Sequence, residues 1–445
     1  MGLAFVTLWL IGLLFLFLII KNIRLLNPGF CFSIGFLVSS GYAIITNSYI
    51  QLNMGFETVI VIVLGTFMFV IASVIFRGLG KKQIKIGENT HFFGSDRDWE
   101  MYISNFYLII FGILQLIAII FIPKALMRIT GKSNISDAIF RYRVIITTGI
   151  AHDDIPRLLS IIWQIAVPAG YIWTYSIADA ISKKKKINIF LIVNAVLCCI
   201  LNTVYGARGT MINYIISFLA MVYFLSSRNK KQSSLNKKFI IGAITLAIII
   251  LSSFHYIGSL IGRGNTQNIA DYLTVYISAP LKNLDSFVKR GEIEFGISKN
   301  YTLYALINWI GSKFGIDSIV HTALGEWQSV GGKNLGNVYT TLASFYHDGG
   351  LIGVCFYSLL MALITMAFYN RTNRDIEKFK NRYSINLIIY SFFVPNLFFC
   401  FFSNRFYENV FINTFVRYIL LWWVLINFLF KDNKHVRRSR FKRNR

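Results

Sequence analysis

The chain has 445 residues, 55% of them hydrophobic and only 15% charged, and a mean hydropathy of +0.56, which excludes an ordinary soluble domain of this size. A net charge of +25 would suit nucleic acid if the basic residues formed one surface, but they fall in short clusters between apolar runs. Cytoplasmic loops of membrane proteins carry that distribution. Cys31, Cys198, Cys199, Cys355 and Cys400 lie in or beside apolar runs and have neither a disulfide-framework nor a metal-site spacing.

In chain order, apolar runs predict spanning helices at about 3–20, 29–46, 58–76, 101–122, 158–180, 187–205, 210–226, 239–257, 349–368, 383–402 and 410–430. Without water to satisfy backbone groups, these segments should be helices rather than open strands. The first run has no basic residue before it and no small-residue cleavage site after it, so it reads as a retained helix. With the N-terminus outside, the inner segments collect 29 of the 45 Lys and Arg residues, which sets the orientation as N-out, C-in. The expected fold is an all-α polytopic membrane protein of about 11 transmembrane helices, a single domain over 1–430, with a basic cytoplasmic tail at 431–445. The tail "KHVRRSRFKRNR" is suited to anionic lipid, and no nucleic-acid-binding module accompanies it.

Two long outer loops interrupt the spans, 123–157 and 258–348. "SNISDAIFRYRV" in the first, and "IADYLTVYISAPLKNLDSFV" and "YTLYALINWIGSKFGI" in the second, space apolar residues as amphipathic helices do. They predict an outer cap of helices lying in the membrane interface.

The outer half is rich in arginine: Arg141, Arg143, Arg157, Arg208, Arg263, Arg405 and Arg417. Arg208 in "YGARGT" and Arg263 in "IGRGN" are flanked by glycines, which allow close backbone approach to a ligand. A guanidinium fork matches phosphate oxygens, so the pair points to a diphosphate or anionic headgroup; the alternative is a tight turn with a solvated arginine. Arg141 and Arg143, two residues apart, should point to different faces of a helix. Arg405 and Glu408 are spaced to pair with each other. Arg417 falls inside the last predicted span, where a cation either faces a ligand or a wet cavity, or snorkels and pairs.

Acid–base candidates on the same side are His255, His321, His347, Asp271, Glu326 and Asp348. His347 and Asp348 end the polar stretch "NVYTTLASFYHDGG", which runs straight into an apolar span. A histidine beside a carboxylate can take a proton near neutral pH, although adjacent helical residues diverge and Asp348 could be a helix cap. "HDD" at 152–154 is a poor metal site, because three consecutive residues cannot converge on one ion. "DRD" at 96–98 falls on the predicted inner side without a soluble domain, as solvated residues ahead of a span would.

"GNVYTTLASFYHDGGLIGVCFYSLLMA" at 336–362, "YGARGTMINYIISFLAMVYF" at 205–224, and a late, large outer loop followed by a few spans resemble the O-antigen and capsule polymerases of bacteria, the Wzy-like oligosaccharide repeat-unit polymerases. The resemblance implies a glycosyltransferase in the bacterial inner membrane, acting at its outer face. It implies a donor glycan on undecaprenyl pyrophosphate, an acceptor repeat unit on the same lipid, and no cofactor, metal or nucleotide sugar. Membrane lipids, chain-length regulator proteins and flippase proteins would be partners. Outer-loop arginines would hold the pyrophosphates, which falls on Arg208 and Arg263, with Arg417, Arg405, Arg141 and Arg143 as further candidates. His347 is then the expected base, with Asp348 and Glu326 behind it, and Tyr339, Tyr346 and Trp327 are candidates for stacking on sugar. Two rival classes are a lipid-linked oligosaccharide flippase or transporter, which the large asymmetric outer cap fits less well, and an O-antigen ligase, which shares the layout. A membrane scaffold is the non-enzymatic alternative.

Overall fold

A computed structural model describes residues 1–19, 25–83, 99–148, 155–205, 208–227, 241–242, 269–315, 325–378 and 383–432. Arg263, His255, His321, "DRD", "HDD" and the basic tail from 433 lie outside the described residues, as does all of the expected span at 239–257 except 241–242.

The described chain is helical almost throughout. Its helices are α1 (Gly2–Ile19), α2 (Pro28–Ile45), α3 (Asn47–Ile50), α4 (Phe56–Gln83), α5 (Asn105–Thr130), α6 (Ile135–Thr148), α7 (Arg157–Ser182), α8 (Ile189–Val204), α9 (Arg208–Ser226), α10 (Ile269–Ile277), α11 (Ala279–Arg290), α12 (Tyr304–Phe314), α13 (Thr341–His347), α14 (Gly350–Lys378), α15 (Ile385–Phe398), α16 (Arg405–Val410) and α17 (Asn413–Leu429). Two short antiparallel pairs were not foreseen: β1 (Trp99–Ile103) with β4 (Phe430–Asp432), and β2 (Gln328–Val330) with β3 (Lys333–Gly336). Six helices are long and apolar enough to cross a bilayer, and four shorter apolar ones, Gly2–Phe17, Ile189–Val204, Ile385–Phe401 and Asn413–Leu429, fall where spans are expected. The chain is therefore an all-α membrane protein.

The chain forms two compact units. The first comprises Met1–Thr90, Gln267–Arg371 and Phe393–Arg417; the second comprises His91–Thr266, Thr372–Phe392 and Tyr418–Arg445.

In the first unit α2 begins at Asn27, whose side chain accepts from Gly29 N at 2.9 Å, with Pro28 in the first turn where its missing N–H costs nothing. The rings of Phe32 on α2 and Phe69 on α4 stack at 4.5 Å. The amphipathic segments expected in the second long loop form α10, α11 and α12. α10 and α11 are fixed to α2 and to the α2–α3 junction by Ser39 Oγ donating to Ile277 O at 2.6 Å and by a 2.9 Å bond between the Thr46 and Ser278 hydroxyls. The buried carboxylate of Asp285 on α11 accepts from Gly55 N at 2.8 Å and Thr58 Oγ1 at 2.9 Å, and so caps α4 from outside its own chain segment.

In the second unit α5, α7, α8 and α9 pack through buried polar pairs. Gln115 Nε2 donates to Asn194 Oδ1 at 2.8 Å, and Tyr214 Oη donates to Val167 O. Trp422 Nε1 donates to Pro168 O at 2.9 Å. Each pairing removes an unsatisfied group from an apolar interior, where it would cost roughly 1–3 kcal/mol.

Candidate functional site

The polar stretch ahead of α14 folds as the short helix α13, and its last residues are the best-defined polar constellation in the first unit. The helix stops at His347 because the chain turns at Gly349 and Gly350. Gly350 adopts φ +57°, which side-chain-bearing residues rarely adopt. One turn further on, a Cβ at Gly353 would collide with the carbonyl of Phe345, so the corner between α13 and α14 closes only over glycine.

This corner brings His347 and Asp348 together. Successive residues of a regular helix diverge, yet at this helix end, with Asp348 as the C-cap, His347 Nδ1 lies 2.9 Å from Asp348 Oδ1. Both side chains are buried, with 6% and 1% of their surface exposed. Asp348 is held from both oxygens: Oδ1 also accepts from Tyr301 N at 2.9 Å, and Oδ2 accepts from Thr302 N at 2.7 Å. Asp348 is thus the C-cap of α13 and the group that orients His347, rather than a second base. Its carboxylate fixes the Nδ1–H tautomer and leaves Nε2 as an acceptor. Among the described residues, no hydrogen bond takes up Nε2.

A strap from Glu292 to Leu303 covers this dyad. Glu294 N donates to His347 O at 2.8 Å, and the edge of the Tyr301 ring meets the imidazole at 4.4 Å. Asn404 anchors the strap's far end, donating to Thr302 O at 2.9 Å and accepting from Thr341 Oγ1 at 3.0 Å. Burial pushes the Tyr301 phenol up, and the carboxylates of Glu294, Asp348, Glu326 and Glu292 push it the same way. Glu292 and Glu326 are paired with Arg290, and Glu294 with Lys299.

Other candidates are placed less favourably. Glu326 is exposed and joined to Arg290 at 3.2 Å, so it is a surface partner and not a buried base. Tyr339 is buried, and its hydroxyl accepts from Gln328 Nε2 at 2.9 Å and donates to Glu326 O at 3.0 Å. It fastens the β2 segment and has no free face for a sugar; Tyr346 is buried too, whereas Trp327 is 69% exposed. Arg417 lies within the apolar helix α17, in its second turn. The helix begins at Asn413, so Arg417 is only about 6 Å from its start, and its side chain is exposed. A position so near the helix end lets the guanidinium reach the interface without a buried partner.

Arg405 stands next to Asn404 at the start of α16, half-buried, with its guanidinium 5.3 Å from the centre of the Phe402 ring. Among the described residues no ion pair joins it to Glu408, despite their spacing. Glu408 is half-buried, and burial pushes its carboxyl up against the opposing pull of Arg405. Both charges act on Tyr304 of α12, whose phenol burial also pushes up. Arg141 and Arg143 are exposed on α6 in the second unit, and Arg208 is the first residue of α9 in the same unit. Among the described residues no group of three or more His, Cys, Asp or Glu could hold a metal ion.

Sequence reasoning found His347 and Asp348 but missed Tyr301, Thr302 and Asn404. The first two act through backbone amides 47 and 46 residues from Asp348, and nothing in a side-chain pattern announces that.

These features define the class: a polytopic helical membrane protein with a buried, backbone-supported His–Asp pair where a polar helix meets a span. Compared with protein-family models, curated proteins and solved structures, the chain finds no match in any of the three.

Proposed function

We propose that this protein is a membrane glycosyltransferase that polymerises undecaprenyl-pyrophosphate-linked repeat units at the outer face of the bacterial cytoplasmic membrane. The observation that carries the reading is the His347–Asp348 pair, fixed by the amides of Tyr301 and Thr302, with Nε2 unbonded.

In the reaction, an acceptor sugar hydroxyl attacks the anomeric carbon of the donor glycan. The bond from that carbon to the diphosphate oxygen breaks, and the lipid diphosphate leaves with the electron pair. The hydroxyl proton passes to His347 Nε2, and Asp348 stabilises the positive charge that appears on the imidazole. A diphosphate leaving group calls for cationic donors, and a guanidinium fork matches its oxygens. Arg405 is the described candidate in the first unit that is half-buried without an ion-pair partner, and Arg208 and Arg263 are those the family resemblance implies. Removing one preplaced donor to such a developing charge costs roughly 2.7–4 kcal/mol in transition-state stabilisation.

Glycan analysis of a deletion strain tests the assignment. Single capped repeat units are expected. Free lipid-linked polymer would mean a ligase, and repeat units trapped on the inner face would mean a flippase.

A further inference from the structure

The strap over the dyad is two-sided. Along its extended part, Glu292 and Glu294 alternate with Ile293 and Phe295, a period of two that sends the two sets to opposite edges, and Ile297 opens a short 3-10 turn just beyond, after Gly296. The apolar edge is unusually open for such side chains: Phe295 is 76% and Ile297 77% exposed. It also has a definite neighbour. Ile293 Cδ1 would lie 3.3 Å from a Cβ built at Gly350, and Phe295 Cε1 3.7 Å from one built at Gly349. The edge therefore lies against the start of α14, one of the six helices apolar enough to span. The first turns of α14 present Leu351, Ile352 and Phe356, all exposed, with Ile352 at 80%. The polar edge is closed on itself by the Glu294–Lys299 ion pair at 2.9 Å.

We propose that Ile293, Phe295 and Ile297 are immersed in the bilayer leaflet that borders the first turn of α14, which makes the strap a lipid-seated clasp over His347. The occupant of this apolar edge is phospholipid hydrocarbon, because the edge continues the lipid-facing surface of a spanning helix. The clasp's three backbone bonds, from Glu294 N to His347 O and from the Tyr301 and Thr302 amides to Asp348, join that lipid-seated edge directly to the dyad. The cover of the imidazole is thus held on its outer side by lipid and on its inner side by the dyad's own oxygens. This placement is independent of the reaction the dyad performs.

Variants with one introduced cysteine, reconstituted in phosphatidylcholine–phosphatidylglycerol vesicles, test it in a background with Cys199 and Cys355 replaced by serine, the remaining Cys31, Cys198 and Cys400 being buried. An environment-sensitive fluorophore at F295C or I297C should be quenched several-fold more by phosphatidylcholine spin-labelled near the headgroup end of its acyl chain than by aqueous iodide. The same label at E292C should show the reverse. Iodide quenching at Phe295 and Ile297 equal to that at Glu292 would overturn the proposal. Unsubstituted protein gives a second reading through a bilayer-partitioned carbene reagent. Adducts on the peptide carrying Phe295 and Ile297 are expected, and adducts confined to the spanning helices would overturn it.

Discussion

Asp348 is occupied by three donors, and this sets what each member of the dyad can do. Two of the donors are backbone amides that have no alternative partner once buried. Asp348→Asn would turn an N–H toward one of them, so two donors would face each other at a cost of roughly 1–3 kcal/mol. We expect a lower melting temperature in detergent together with a loss of transfer activity. Wild-type melting of this variant would contradict the bonding scheme. Glu408 gives a pH-dependent expectation. Its carboxyl is pushed up from an ordinary value of 4.5, so the folded state holds the proton more tightly than the unfolded chain. The stability this contributes is present below pH 4.5 and is lost as pH rises through the higher folded value. Glu408→Gln cannot lose that proton, so its melting temperature relative to wild type should climb above pH 4.5, and a constant difference from acid to neutral pH would count against the burial of this carboxyl.

The corner between α13 and α14 is an element-scale device that depends on glycine. Gly350→Ala forces a side chain into left-handed backbone at about 1–2 kcal/mol. Gly353→Ala drives a Cβ into the Phe345 carbonyl and should be the more damaging of the two, read as loss of folded protein from the membrane fraction. Equal yields of the two variants would show that the corner is looser than described. The Asp285 cap gives a similar expectation: Asp285→Ala leaves the half-buried Gly55 and buried Thr58 donors without this acceptor, and stability should fall by roughly 1–3 kcal/mol, read as a lower melting temperature. The amphipathic periodicity of α10, α11 and α12 was legible in the sequence, as was the polar stretch that becomes α13. The strap was not, because it is held by backbone groups and has no periodicity beyond a few residues. Nor was the pairing of His347 with Asp348, since helical geometry predicts divergence, whereas the two side chains meet at the C-cap.

At the scale of the whole molecule, the apolar runs were the most legible feature, because a hydrocarbon core imposes length and composition at once. Ten of the expected spans coincide with apolar helices, and six of these are long enough to cross by themselves. Reading by runs left the depth of Arg417 open, and the helix start sets it four residues from the beginning of α17. Orientation rests on the basic clusters. An impermeant maleimide applied to spheroplasts should label Glu292→Cys and leave Lys186→Cys unlabelled, and the opposite pattern would invert the molecule. The most direct measurement is transfer by purified protein supplied with lipid-linked repeat units. Wild type should build a ladder of polymer, and His347→Ala should leave the repeat units unjoined while melting close to wild type. Polymer formed by His347→Ala at the wild-type rate would contradict His347 as the base.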